Sequence, residues 1–309
     1  MTAARVAIAM FALQPEPNLE LLQSDCDRAY IQVLLSECRN VTVKTFVRLP
    51  RAWWPDSWIK RKLVDPVAEL LRALYGHPIA GDYWHDKLFL VLKHMKFETI
   101  DSWPSVYVKF AMIDGRRCMI LIVVYVDDLI MLGAKSLRPC IADIRETITM
   151  EDPMPMYRYL GCQHHFSFSG PQGKRLTTCR FEMSGYFQQA LEVYQTDTGL
   201  SVKSSTSPYV PAIKDEVLDH NLATPGRWQR LAPHFLMKLL YGARMAHPGL
   251  SLGINRLTRV VSKWNAECDR RMHRLYEFLV GTDYVLDGTL SQEDLETCTI
   301  DVWADSESN

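Results

Sequence analysis

The stretch Met119-Ile120-Leu121-Ile122-Val123-Val124-Tyr125-Val126-Asp127-Asp128-Leu129-Ile130-Met131-Leu132-Gly133 decides the fold. It is apolar or aromatic throughout, except for two adjacent aspartates and a closing glycine. The β-branched run before the acids reads as a buried strand and the run after them as a second one. Asp127 and Asp128 then fall in the turn of a hairpin, where Asn-Gly or Gly-X would be the usual choice. Two neighbouring carboxylates repel, and burial penalises their charged forms further. The pair is either an exposed hairpin cap or a site where a hard divalent cation such as Mg²⁺ neutralises the charge. A membrane span is excluded, because the run is shorter than about 20 residues and carries two charges near its centre.

Outward from this hairpin, the chain of 309 residues is long enough for one large domain or two ordinary ones. At 48% hydrophobic and 23% charged it is globular, and a net charge of −1 gives no general basic surface. Eight cysteines without a C-x-x-C pair read as thiols of a reducing compartment, cytoplasmic or nuclear. Cys162-Gln163-His164-His165 lies on a predicted strand, whose alternation sends neighbouring side chains to opposite faces.

The order of elements follows. Residues 3–13 read as a helix ended by Pro15 and Pro17, and Leu19–Ser24 as a strand delivering Asp25. Asp25 is either a cap for a helix over 28–35 or a catalytic acid. Residues 41–58 read as a short hairpin with an aromatic loop at Trp53-Trp54, followed by the basic cluster Lys60-Arg61-Lys62. Helices are expected over 65–75 and 81–97, with Gly76 and Pro78 between them, and a strand over 105–112. Asp114-Gly115 signals a type I′ turn into the central strand. Beyond the hairpin come a helix over 135–148, a strand within 154–168, a turn at 169–173, a strand and a helix 184–194. Residues 203–211 read as a linker, 231–247 as a helix and 250–280 as one longer helix. On that last helix Arg256, Arg259, Lys263, Arg270 and Arg274 fall within about 60° of each other, at 100° per residue. They form either a solvated face or a track for a nucleic-acid backbone. The final 299–305 reads as the start of a strand.

Strand–Asp25, two helices around Gly76 and an acidic hairpin give the β-αα-β-β order of a right-hand polymerase palm, an α+β fold with an antiparallel sheet backed by helices. Tyr125-Val126-Asp127-Asp128-Leu129-Ile130 resembles the metal-binding hairpin of copia-type retrotransposon reverse transcriptases. Asp25-Cys26-Asp27-Arg28-Ala29-Tyr30 resembles that family's first acidic motif, and Leu74-Tyr75-Gly76 with Ala80 and Trp84 its template- and nucleotide-contacting motif. Tyr159-Leu160-Gly161, Ser205-Thr206-Ser207-Pro208, Asn255-Arg256-Leu257-Thr258-Arg259, Phe278-Leu279-Val280-Gly281-Thr282 and Ala304-Asp305-Ser306-Glu307 resemble later segments in the same order.

The resemblance implies RNA-directed DNA polymerisation by two-metal nucleotidyl transfer, as a module of a retrotransposon polyprotein. Asp25, Asp127 and Asp128 would hold two Mg²⁺ ions (or Mn²⁺) about 3.5–4 Å apart. Cys26 would offer its carbonyl to the second ion, and Tyr30 would exclude a ribose 2′-hydroxyl. Tyr75 and Gly76 would meet the template and incoming nucleotide. The implied partners are an RNA or DNA template-primer duplex, deoxynucleoside triphosphates and other segments of the polyprotein, with no membrane. The implied division is a palm with partial fingers over 1–168 and a thumb-like segment with linker over 169–211. A helical connection over 212–284 and the opening of an RNase H-like domain over 285–309 complete it. Pro78, Ile79, Gly81 and Asp82 stand where the family has Lys-Gln and then Pro-Arg. That departure, with the little chain before Asp25 that could form the fingers, is the basis of the alternative reading, a catalytically inactive remnant with at most nucleic-acid binding.

Overall fold

The computed structural model describes residues 2–14, 18–38, 44–101, 103–113, 115–134, 136–171, 175–204, 225–282 and 285–297. The chain divides into two compact units, Thr2–Met156 and residues 157–309.

The first unit begins with helix α1 (Thr2–Leu13) and strand β1 (Glu20–Asp25). A short pair follows, β2 (Phe46–Arg48) and β3 (Val67–Glu69), with the five-residue helix α2 (Asp56–Lys60) in the connection. Helix α3 (Ala80–His94) leads to β4 (Glu98–Ile100), β5 (Trp103–Ile113), β6 (Arg116–Tyr125) and β7 (Asp128–Gly133). Helix α4 (Leu137–Arg145) and the short β8 (Met154–Pro155) complete the unit. The main sheet is antiparallel, in the order β4-β5-β6-β7-β1-β8.

Its central strands are apolar on both faces because both faces are covered. Ile120, Ile122, Leu129 and Met131 share a core with Trp84, Leu88 and Leu92 of α3 and Ile141 and Ile144 of α4. On the other side α1 packs on β1, β6 and β7, with Ala4, Ala7, Ile8 and Ala12 buried. The three buried alanines permit close approach of helix to sheet.

The second unit has β9 (Arg158–Tyr159), β10 (Cys162–Ser169), β11 (Leu176–Glu182) and helix α5 (Ser184–Thr198), then α6 (Ala232–Met245), α7 (Ser251–Arg259) and α8 (Ala266–Gly281). Its last described elements are β12 (Val285–Ser291) and a single helical turn, α9 (Asp294–Thr297). Its sheet runs β12-β11-β10-β9, again antiparallel. Phe187, Tyr194, Phe235 and Tyr276 lie buried in its core, and the rings of Tyr194 and Tyr276 stack 3.9 Å apart. The chain is therefore α+β with antiparallel sheets. No helix among the described residues is long and apolar enough to cross a membrane.

Several expectations are corrected. Residues 65–75 do not form a helix: Val67–Glu69 is a strand against Phe46–Arg48, and the chain stays extended as Leu35 N–H donates to Leu71 O and Ala73 N–H to Val33 O. The leucine spacing was helical, but Pro66 and Val67 favour extension and long-range pairing decides. The hairpin read within 41–58 is instead this pairing, and 28–35 forms two 3₁₀ turns, Ala29–Gln32 and Leu35–Glu37. The single helix over 250–280 is two, separated by a 3₁₀ turn at Val261–Lys263 and an extended Asn265. Tyr159-Leu160-Gly161 runs into the tight turn between β9 and β10, with positive φ at Leu160 and Gly161. Pro15, Pro17, residues 41–43, Asp114, Lys135, Gly173, residues 205–211 of the linker and the RNase H-like opening at 304–307 lie outside the described residues. So does the strand start read over 299–305.

Candidate active site

The acidic hairpin is shifted by one residue from its sequence reading. Tyr125 pairs with Asp128, so the two loop residues are Val126 and Asp127, and Asp128 is the first residue of β7. Val126 has φ 57°, costly for a β-branched residue, whereas Asp127 has no positive φ. This is the φ pattern of a type II′ turn with valine in the place of glycine. The surrounding structure enforces it: buried Trp84 on α3 donates its indole N–H to Val126 O at 2.6 Å.

Register then brings in the third acid. Strand β1 runs antiparallel to β7, with Asp25 directly opposite Asp128. Such partners have Cβ atoms about 4.5–5.5 Å apart and point to the same face. Cys26 N–H continues the ladder to Asp127 O at 2.9 Å. On the far side Asp27 N–H donates to Thr149 O and Glu151 N–H to Asp25 O. Neither of those bonds uses the Cys26 carbonyl. Its thiol is buried, and burial followed by the charge of Asp25 pushes it up to about 12.

The electrostatics follow from the geometry. Asp25 rises from 3.8 to about 6, chiefly by burial, then by the charges of Asp127, Asp128, Glu151 and Asp27. Asp128 is also raised, by burial and then by Asp127. Two of the three carboxyls thus hold their protons more tightly than in water, which a cation would reverse.

The aromatic residues singled out in the sequence lie beside these acids. The rings of Tyr30 and Tyr75 are 4.7 Å apart. The Tyr75 hydroxyl is raised by burial, then by Asp127, Tyr30 and Asp25. Tyr30 stands on the 3₁₀ turn after Asp25, and a Cβ added to Gly81 would lie 3.9 Å from its hydroxyl. Gly76 has φ +90°, a conformation that side-chain-bearing residues rarely adopt. Asp82 occupies the first turn of α3, where the helix dipole favours an acid.

Sequence reading missed the residues that hold this cluster. Gln32 donates its amide to both Asp27 O and Thr149 O at 2.7 Å and accepts from Thr149 N–H at 2.9 Å. Lys87 Nζ reaches Gln32 O at 2.6 Å, and Arg72 reaches Ile31 O at 2.8 Å. Glu151 and Asp27 add two further carboxylates felt by Asp25, beyond Asp127 and Asp128. A periodicity argument has no access to partners more than a hundred residues apart.

The five basic residues read as one stripe are distributed over three elements of the second unit. Arg256 and Arg259 are on α7, Lys263 on the 3₁₀ turn, and Arg270 and Arg274 on α8. The break comes from Asn265, whose side chain accepts from Cys268 N–H and caps α8, while buried Trp264 donates to Asp269. Arg270 is ion-paired with Glu267.

Among the described residues no group of three His, Cys, Asp or Glu side chains is placed to hold a metal ion as it stands. The donor chemistry of Asp25, Asp127 and Asp128 nevertheless suits a hard divalent cation: carboxylate oxygens, with Asp25 raised by burial and then by its acidic neighbours. A family model described as reverse transcriptase (RNA-dependent DNA polymerase) matches residues 8–181, more than half of the chain. That span includes both acidic motifs, Tyr30, Tyr75 and Gly76. No curated protein matches the chain.

Proposed function

The chain belongs to the copia-type reverse transcriptase (RNA-dependent DNA polymerase) family, and on that premise we propose that it is the polymerase module of a retrotransposon polyprotein, with Thr2–Met156 as the palm and partial fingers. The observation that carries this reading is the register placing Asp25 opposite Asp128 beside the Val126-Asp127 loop. Asp25, Asp127 and Asp128 would hold Mg²⁺, which when bound would lower the pKa of a primer 3′-hydroxyl and neutralise charge on the departing pyrophosphate. The chain's own contribution is positioning. Trp84 fixes the loop that carries Asp127, and the Gln32 clamp fixes the turn that carries Tyr30. Tyr30, packed on Tyr75, lies under the sugar of the incoming deoxynucleotide and excludes a 2′-hydroxyl. Cys26 would offer its carbonyl to the second ion. Template-primer and deoxynucleoside triphosphates are the substrates.

Primer extension on an RNA template in Mg²⁺ tests this, comparing the chain with Asp127→Asn. Extension by the unmutated chain and its loss in the variant are expected. A folded chain that extends no primer, or a variant as active as its parent, overturns the proposal.

A further inference from the structure

The connection between β2 and β3, a pair outside the sheet that carries the acids, holds a second concentration of functional chemistry. The segment Arg51-Ala52-Trp53-Trp54-Pro55-Asp56-Ser57-Trp58-Ile59-Lys60-Arg61-Lys62 has three tryptophans and four cations against one acid, in a chain whose net charge is −1. Two of the tryptophans build the loop. Trp54 donates its indole N–H to Leu49 O at 2.9 Å, Trp58 meets its ring edge-on at 6.2 Å, and both are half-buried. Trp53 does neither: it is 73% exposed, and among the described residues no ring contact or side-chain hydrogen bond engages it. Leaving so large an apolar ring in water forgoes burial free energy that any core position would return.

Nor is any of these cations committed to a carboxylate among the described residues. The neighbouring basic residues Lys44 and Arg48 are paired with Glu69 and Asp65. Arg51, Lys60, Arg61 and Lys62 are all exposed, and among the described residues no ion pair involves them. Arg51 lies 5.8 Å from the Trp54 ring centre. Helix α2, about 7.5 Å long at 1.5 Å per residue, separates Trp53 from the Lys60–Lys62 turn, which is closed by Lys62 N–H donating to Ile59 O.

We propose that Trp53 and the Arg51, Lys60, Arg61 and Lys62 cluster form a binding site for unpaired, single-stranded nucleic acid. Aromatic platforms flanked by cations suit such strands, because every base offers a π-face and the backbone offers regularly spaced negative charge. A duplex, with its bases already stacked, offers Trp53 nothing. The choice of ligand rests on the polymerase reading, but the site is separate from the acids and is assayed separately from them.

The probe is a fluorescein-labelled oligoadenylate of about twelve nucleotides, within the range covered by single-strand binders, titrated with the full chain in EDTA without nucleotides. Trp53→Ala is expected to weaken binding by about five- to a hundred-fold, the range for one lost base–aromatic stack. Trp53→Phe, which keeps a ring, should stay within a few-fold of the parent. Replacing Lys60, Arg61 and Lys62 together by alanine should lower the slope of log K against log salt by about 2. Equal binding by the parent, Trp53→Ala and the triple variant overturns the site, as does equal competition by a blunt duplex. So does capture of the segment by anionic vesicles or by a second copy of the chain in place of the oligonucleotide. Because the titration omits Mg²⁺, loss of primer extension with retained oligonucleotide binding fails the polymerase reading alone, and the converse fails this site alone.

Discussion

Replacing Asp25 by asparagine should make the metal-free protein more stable at neutral pH. Asp25 is displaced upward, from 3.8 to about 6, by burial and by Asp127, Asp128, Glu151 and Asp27. A raised carboxyl means that the folded chain binds a proton the unfolded chain has released, so stability falls as pH rises between the two values. Below about pH 4 the group is neutral in both states and contributes nothing. Above about pH 6 it is ionised in both, and the whole penalty is present. At 1.36 kcal/mol per pH unit the displacement sets a ceiling of about 3 kcal/mol. Asp25 is only partly buried, and salt and water screen its neighbours, so about 1 kcal/mol is expected to be observed. The assay is urea unfolding of parent and Asp25→Asn in EDTA at matched ionic strength, from about pH 4 to about pH 8. The variant should match its parent at the acid end and exceed it by about 1 kcal/mol at the other. Adding Mg²⁺ at ten times its dissociation constant should return about 1.4 kcal/mol to the parent and less to the variant. Parallel stability profiles for the two proteins would refute the idea of a strained carboxylate cluster.

Two further substitutions test the scaffold by urea midpoint. Val126→Gly should be neutral or stabilising by up to about 1 kcal/mol, since glycine relieves the positive φ at the cost of added backbone entropy; a loss above that would show that the valine side chain matters more than its backbone. In the second unit, Gly242→Ala should cost about 1–3 kcal/mol, because the new methyl would meet the buried Phe187 ring, and an unchanged midpoint would mean that α5 and α6 are not packed as described.

What the sequence made legible was whatever its own neighbours determine. The strands at Met119–Tyr125 and Leu129–Gly133 could be read because sandwiching between α1 and α3/α4 demands an unbroken apolar run. Helix α3 could be read because Tyr83, Trp84, Leu88 and Leu92 recur on one face. The helix break before α8 was also written locally, as Asn265 followed by Glu267 and Asp269, an N-cap with acids in the first turn. The continuing leucine period over it masked that signal. Residues 65–75 failed differently. Their spacing is helical, and only partners some twenty to forty residues away, at Phe46–Arg48 and at Val33 and Leu35, make them extended.

The acids show the limit most sharply. Composition and order could nominate Asp25, Asp127 and Asp128, but not whether the turn holds both hairpin acids or one. A shift of one residue decides that. With Val126-Asp127 as the loop, Asp128 enters β7 and faces Asp25 across the ladder. With Asp127-Asp128 as the loop, neither acid would have been a strand partner of Asp25. The register itself rests on Trp84, forty-two residues upstream, gripping the carbonyl of a valine held at φ 57°. A non-glycine residue is kept in that conformation only where the surroundings over-determine it. The strain at Val126 is therefore the cost of bringing three mutually repelling carboxylates together at one end of the interior strands β1 and β7, and nothing in the local sequence announces it.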